Sequence, residues 1–269
     1  MHRRLPAIGV LLMVLTGLAC QSAPPPPVTA VALVDLSGSL PPETVAFYAE
    51  TIAGGILKQL SPADRLAVLP IDAGAESRSE PLYTVDLSTV DFTAKGDGVA
   101  RAAERRQARI DAFLAEQEVL VREAVSRAAA ARRALSAETD ILGALHVAAA
   151  RLSGNDRTRR VLVVFADLSQ ESRELDIRRL AREGEAGVPA LVDGVRAAGR
   201  LPALADTDAL IIGAGETGTR QGDNAAYFRA VRLFWARLLE ASGARLDAER
   251  HYGYRTQDQL PALLRAPQP

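Results

Sequence analysis

Residues 28–39 read VTAVALVDLSGS, and this stretch decides the fold. Residues 28–34 are apolar or β-branched with no alternation, the pattern of a strand buried on both faces. Such a strand belongs in the middle of a parallel sheet. It runs directly into Asp35-Leu36-Ser37-Gly38-Ser39. A carboxylate and two hydroxyls therefore fall at the carboxyl end of the strand, where open α/β sheets hold their ligands. Gly38 lets the backbone fold tightly between the two serines. Hard oxygen donors carrying little charge suit Mg²⁺, which takes an octahedron of oxygens and keeps several waters.

Outward from this strand the chain alternates between two periodicities. Residues 42–60 have helical spacing, with Pro41 and Pro42 suited to a helix start. Residues 64–71 (DRLAVLPI) and 81–87 (PLYTVDL) read as strands, 140–152 as a helix, and 160–166 (RVLVVFA) as a strongly buried strand. A helix over 188–198, a strand over 209–213, a helix over 224–242 and a weaker strand over 245–252 complete the pattern. Strand–helix alternation predicts an α/β fold: an open, mostly parallel, doubly wound sheet with helices on both faces. No internal repeat is present.

Residues 98–135 break the rhythm. They contain no proline and no glycine after Gly98, and are dense in alanine, arginine and glutamate. Ile110, Phe113, Leu114, Leu120, Val121 and Val125 recur as a stripe at helical spacing. Thirty-odd residues make a helix of ~50 Å, against strands of ~20 Å. The segment, an insertion over about 93–136, must project beyond the sheet or break into a hairpin. It serves as a covering helix with a solvated charged side or as an arm that contacts a partner.

The oxygen ligands at 35–39 have company. Thr139-Asp140-Ile141-Leu142-Gly143-Ala144-Leu145 opens the helix at 140–152, and Val163-Val164-Phe165-Ala166-Asp167 ends the strongest strand on an acid. In order, spacing and flanking elements the three segments resemble the metal-ion-dependent adhesion site (MIDAS) of von Willebrand factor A (VWA) domains. The resemblance covers roughly residues 28–255. It implies a Rossmann-like VWA fold and a metal site made of Asp35, Ser37, Ser39, Thr139 and Asp167. It further implies direct coordination by Ser37 and Ser39, with Thr139 direct or through water, and Asp35 and Asp167 acting mostly through bound waters. Mg²⁺, or Mn²⁺ or Ca²⁺ in its place, would keep one position open for an acidic side chain of a protein partner. Incomplete neutralisation of the cation is what attracts that carboxylate. The family commonly places glycine after the last aspartate, where this chain has Leu168.

The amino terminus speaks to location. Residues 1–19 carry Arg3 and Arg4 ahead of an apolar run over 5–19, too short to span a membrane and of the length of a secretory signal. Thr16-Gly17-Leu18-Ala19-Cys20 resembles the bacterial lipobox, with Gly17 where leucine is preferred. That resemblance implies cleavage before Cys20, the chain's single cysteine, and its lipidation. Gln21 in place of aspartate then implies the outer rather than the inner membrane. Removing residues 1–19 takes away two arginines and leaves 250 residues at a net charge of −3. Residues 20–27, with Pro24 to Pro27, form a stiff tether. The domain is expected over 28–257 and a C-terminal tail over 258–269.

The whole chain has 269 residues, 48% hydrophobic and 24% charged, which excludes a disordered or collagen-like protein. Its net charge of −1 and its 4% aromatics argue against nucleic-acid binding. Gly213-Ala214-Gly215-Glu216-Thr217-Gly218 lacks the lysine of a P-loop and reads as a turn. His2, His146 and His251 have no zinc-site spacing. Phe234 and Trp235 read as core. The expected role is an interaction module, not an enzyme. Two alternatives are a Mg²⁺-dependent phosphoryl-transfer or phosphatase-like enzyme using Asp35, and a scaffold with a vestigial site. A haloacid-dehalogenase-like enzyme would want aspartate where Ser37 stands, and a lysine at the end of a parallel strand.

Overall fold

The computed structural model describes residues 25–38, 40–72, 80–95, 98–132, 139–154, 158–170, 172, 175–214, 225–246 and 254–265. Five strands form one sheet: β1 (Val28–Asp35), β2 (Arg65–Ile71), β3 (Tyr83–Asp86), β4 (Arg159–Phe165) and β5 (Thr207–Ile212). Their spatial order is β3-β2-β1-β4-β5, so the strand read first from the sequence lies at the centre. It is parallel to β2 and β4, and β5 is parallel to β4. Among the described strands only β3 runs antiparallel, on the edge beside β2. The winding reverses direction between β1 and β4, which opens a crevice beyond their carboxyl ends.

Alternation along the strands sends side chains to two cores. Val31, Leu33, Leu162, Val164 and Ile211 face α3 (Ile141–Leu152), α4 (Leu180–Glu183), α5 (Val188–Ala197) and α6 (Ala225–Ala241). Ala30, Ala32, Val34, Val163, Phe165 and Ile212 face α1 (Pro42–Glu50), α2 (Val99–Arg132) and α7 (Leu260–Arg265). Both sides of the central strands are dry, which is why β1 and β4 read as unbroken apolar runs. Tyr48 of α1 packs on Phe165, ring centroids 5.4 Å apart. A Cβ at Gly213, where φ is +95°, would collide with the Tyr48 hydroxyl.

Some expectations are adjusted by packing. The helix expected over 42–60 is α1 followed by a π-helical turn, Thr51–Ile56, and a 3₁₀ turn, Leu57–Gln59. The widened turn holds Gly54 and Gly55, and a Cβ on Gly55 would sit 3.0 Å from Leu260. Glycine there lets α7 approach. Residues 258–265 are accordingly not a free tail: Leu260 and Leu264 are buried in the α1–α2 core. Of the strand expected over 245–252, the described part shows one bridge, Arg245 to Asp208, and 247–253 lie outside the described residues.

The long segment is a single unbroken helix. Its 34 residues extend about 51 Å, roughly twice the height of the sheet. Ile110, Leu114, Val121, Val125 and Ala129 are its buried positions. Leu120, placed in that stripe by sequence, is instead 43% exposed. Spacings of three and four from Ile110 lead through Gln117 to Val121, one position past Leu120. Arg122 pairs with Glu50 at 2.6 Å, and Lys58 with Glu118 at 3.6 Å, so α2 runs antiparallel to α1. Its last residue, Arg132, reaches Asp72 just beyond β2 at 2.6 Å. The helix is thus a cover for the sheet over its second half, while residues 99–109 overhang the opposite edge.

Candidate metal centre

β1 and β4 deliver the two candidate carboxylates side by side. Val34 is in register with Phe165, which puts Asp35 one step past the end of that pairing and Asp167 two. Asp35 is fully buried and Asp167 nearly so. The backbone N–H of Ser37 donates to Asp35 Oδ1 at 2.8 Å, and that of Ser169 donates to Asp167 Oδ1 at 2.8 Å. Each carboxylate therefore folds its own loop back through the amide two residues on.

Asp35 Oδ2 is buried and has no hydrogen-bond partner among the described residues. Burial first, and the charge of Asp167 second, push the Asp35 carboxyl up to about 7, against the lowering effect of Ser37. Two acids drawn together in a dry crevice, one with an unsatisfied oxygen, form an arrangement that a cation would relieve. Ser37 is buried beside Asp35. Thr139, also buried, immediately precedes the residue that caps α3. Ser39 lies outside the described residues. Among those described there is no cluster of three or more His, Cys, Asp or Glu suited to a metal. The donor set is one of carboxylates with hydroxyls, and it fits a hard divalent cation.

One side chain ties the Thr139 loop to the Asp167 loop. Gln170 is buried, and its Oε1 accepts from the amides of Ile141 at 2.8 Å and Leu142 at 3.3 Å. These are first-turn donors of α3, which a helix cannot satisfy from within. Gln170 Nε2 donates to Asp140 Oδ1 at 3.3 Å and to Ser172 Oγ at 2.8 Å. Asp140 in turn caps α3 by accepting from Gly143 N at 3.0 Å. The glutamine thus caps a helix from another loop.

Behind Asp167 the chain turns through Leu168 at φ +70°, a left-handed conformation costly for a residue with a branched side chain. Trp235 Nε1 donates to the Leu168 carbonyl at 3.0 Å, and Leu168 itself is buried. The turn usually assigned to glycine is made here by leucine, held from α6.

The sequence reading passed over three of these residues. Trp235 is core, as its place in the helix predicts, and it also fixes the site loop. Gln170 carries no local signal, since its partners are 29 residues away. Asp72 follows an apolar strand just as Asp167 does, and that signal was available. It is buried and bound by Arg132, one position past Ile71, the register partner of Asp35.

No family model and no curated relative matches the chain. Among solved structures it is similar to proximal thread matrix protein 1 from the mussel byssus, with a TM-score of 0.43 and 10% identity over 89% of this chain and 48% of that one. The same mussel protein with a zinc-occupied MIDAS motif gives a TM-score of 0.41 and 9% identity, covering 90% and 48%. An aerotolerance-related membrane protein from Bacteroides fragilis gives 0.40 and 12%, covering 88% and 98%. The chain spans about half the length of the mussel structures it matches.

Of the other sequence candidates, His146 uses Nε2 in a 3.0 Å hydrogen bond with the Arg200 carbonyl. Gly213 and Ala214 close β5, and residues 215–218 lie outside the described residues, as do Cys20 and the signal-like stretch. No helix among the described residues is long and apolar enough to cross a membrane.

Proposed function

We propose that this protein is a lipid-anchored VWA-like domain of a bacterial cell envelope that binds a protein partner through a divalent cation. The observation that carries the reading is Asp35: a buried carboxylate with one unsatisfied oxygen, paired with Asp167 at the switch point of the sheet. Ser37, Ser39 and Thr139 would supply hydroxyl oxygens, and the two aspartates would offset the cation's charge. The bound cation supplies an open coordination position for a carboxylate of the partner. Asp35, Ser37 and Asp167 are held by short loops rather than by the metal, so the chain's part is to keep the oxygens together and water-poor.

An enzymatic use of Asp35 would want a lysine nearby. Lys58 lies at the far end of the α1 segment, paired with Glu118, and Lys95 precedes α2 at that same edge. The interaction reading suits the site better. The anchor at Cys20 and the tether over 20–27 would place the module on a membrane, the outer membrane on the strength of Gln21.

Thermal unfolding with and without Mg²⁺ or Mn²⁺ tests the metal site. The cation should raise the melting temperature of the wild type and leave Asp35→Ala unmoved, because a ligand that binds only the folded state stabilises it by mass action. Identical melting with and without cation would defeat the reading. Membrane fractionation of Cys20→Ser tests the anchor: release into the soluble fraction is expected, and unchanged partitioning would remove that part.

A further inference from the structure

The first turns of α2 and the segment before it form a basic cleft remote from the metal crevice. Thr93, Ala94, Lys95, Arg105, Ala108 and Arg109 line a hollow of about 500 Å³. Three of these residues are cationic and none is acidic. Arg105 donates through one guanidinium nitrogen to the Lys95 carbonyl at 2.9 Å, and Arg109 donates likewise to the Thr93 carbonyl. A guanidinium has five donors, so single bonds of this kind fix each planar group without saturating it. Asp91 is close enough to feel Arg109, but it is fully exposed and turned to the Thr93 amide. Arg101 and Arg106 add charge on the same overhang, with Glu104 against them.

The position of this cleft narrows what it binds. Arg132 at the carboxyl end of α2 meets Asp72 at the metal edge, so residues 99–109 overhang the opposite, amino edge, by about 16 Å. Val99 at the tip is 89% exposed. The chain enters β1 from that same edge, where Pro27 accepts from Arg159 N at 2.8 Å. Positive charge, an apolar tip and the tether all lie on one side of the domain, and the metal crevice on the other. Basic side chains are drawn to an anionic membrane surface, and guanidinium groups clasp phosphate oxygens in pairs.

We infer that the Lys95–Arg105–Arg109 cleft binds the phosphate of anionic phospholipid headgroups. The domain then rests on the bilayer by its amino edge, and the metal crevice faces outward. The orientation rests on the anchored reading, whereas headgroup binding itself does not.

The test uses the full chain carrying Cys20→Ser, so that no acyl chain contributes, in flotation with phosphatidylglycerol-containing and with phosphatidylcholine-only vesicles. Binding to the first, falling with added salt and absent from the second, is expected. Lys95→Glu combined with Arg106→Glu, changes to side chains whose ammonium and guanidinium groups bond no other described side chain, should weaken vesicle binding about tenfold or more. Arg105→Gln should weaken it further, with circular dichroism checking that the helix persists. Equal binding to both vesicle types, or phosphatidylglycerol binding untouched by the charge reversals, overturns the inference. Binding of inorganic phosphate to the cleft, read as a rise in melting temperature that Arg105→Gln removes, without any vesicle binding would overturn the lipid as the source of the phosphate. Failure of Cys20→Ser to alter membrane fractionation would strike the anchor alone.

Discussion

Trp235 holds the residue behind Asp167: its indole nitrogen donates to the Leu168 carbonyl at 3.0 Å, while Leu168 takes a φ of +70°. A buried aromatic on α6 thereby stabilises a backbone shape that leucine does not favour by itself. Trp235→Phe keeps most of the packing and removes the donor, leaving a buried carbonyl unpaired. Loss of about 1–3 kcal/mol in urea unfolding is expected. A smaller melting shift on adding Mg²⁺ should accompany it. Unchanged stability would show that the bond is idle.

Gln170 makes a different test, because its two ends do different work. Gln170→Ala leaves the Ile141 and Leu142 amides without their acceptor and should cost about 1–3 kcal/mol. Gln170→Glu retains the acceptor but loses the donor to Asp140 and places charge beside that acid. The alanine variant should thus lose stability at every pH, and the glutamate variant should recover part of it as the pH falls. Chemical denaturation at two pH values separates them; identical profiles would refute the assigned geometry.

The titration of Asp35 gives stability a direction in pH. Its ordinary value is 3.8 and its folded value is pushed up to about 7 by burial and by Asp167. The folded state therefore holds a proton that the unfolded state releases between those values. With metal chelated, this contribution is fully present below about pH 4 and is lost as the pH rises through about 7. Melting temperature measured from about pH 5 to about pH 8 in chelator should fall for the wild type. It should be flatter for Asp35→Asn. A wild-type curve as flat as that of the asparagine variant would refute the burial argument.

Neighbouring positions on α2 should respond in opposite ways. Val121 is fully buried against the α1 core and Leu120 is largely solvated. Val121→Ala should destabilise by about 2 kcal/mol through lost burial and a cavity, whereas Leu120→Ala should stay within about 0.5 kcal/mol. Equal costs, read by urea titration, would mean that the helix is rotated from the stripe described.

The sequence by itself determined the sheet and the order of its parallel strands' chemistry. Runs such as 28–34 and 160–166 are apolar on both sides of the pleat, which leaves a doubly covered strand as their one stable place. Asp35 and Asp167 were legible because an acid ending such a run must emerge at a sheet edge. The sequence also fixed the helical nature of residues 99–132, since thirty-four residues with no proline and no glycine have few other choices.

Tertiary structure alone decided how these pieces meet. Whether α2 covered the sheet or left it depended on the side chains of α1, β3 and the loop at Phe92 that share a core with it. Leu120 fell outside the buried stripe because a one-residue step turns a side chain through about 100° of the helix. The close seat of Leu260 is made roomier by Gly55, about 200 positions earlier in the chain. Gln170 and Trp235 entered the site because folding brought distant donors and acceptors into a place without water, where an unpaired polar atom is costly. Local pattern determines which face of an element is dry; only packing determines what that face touches.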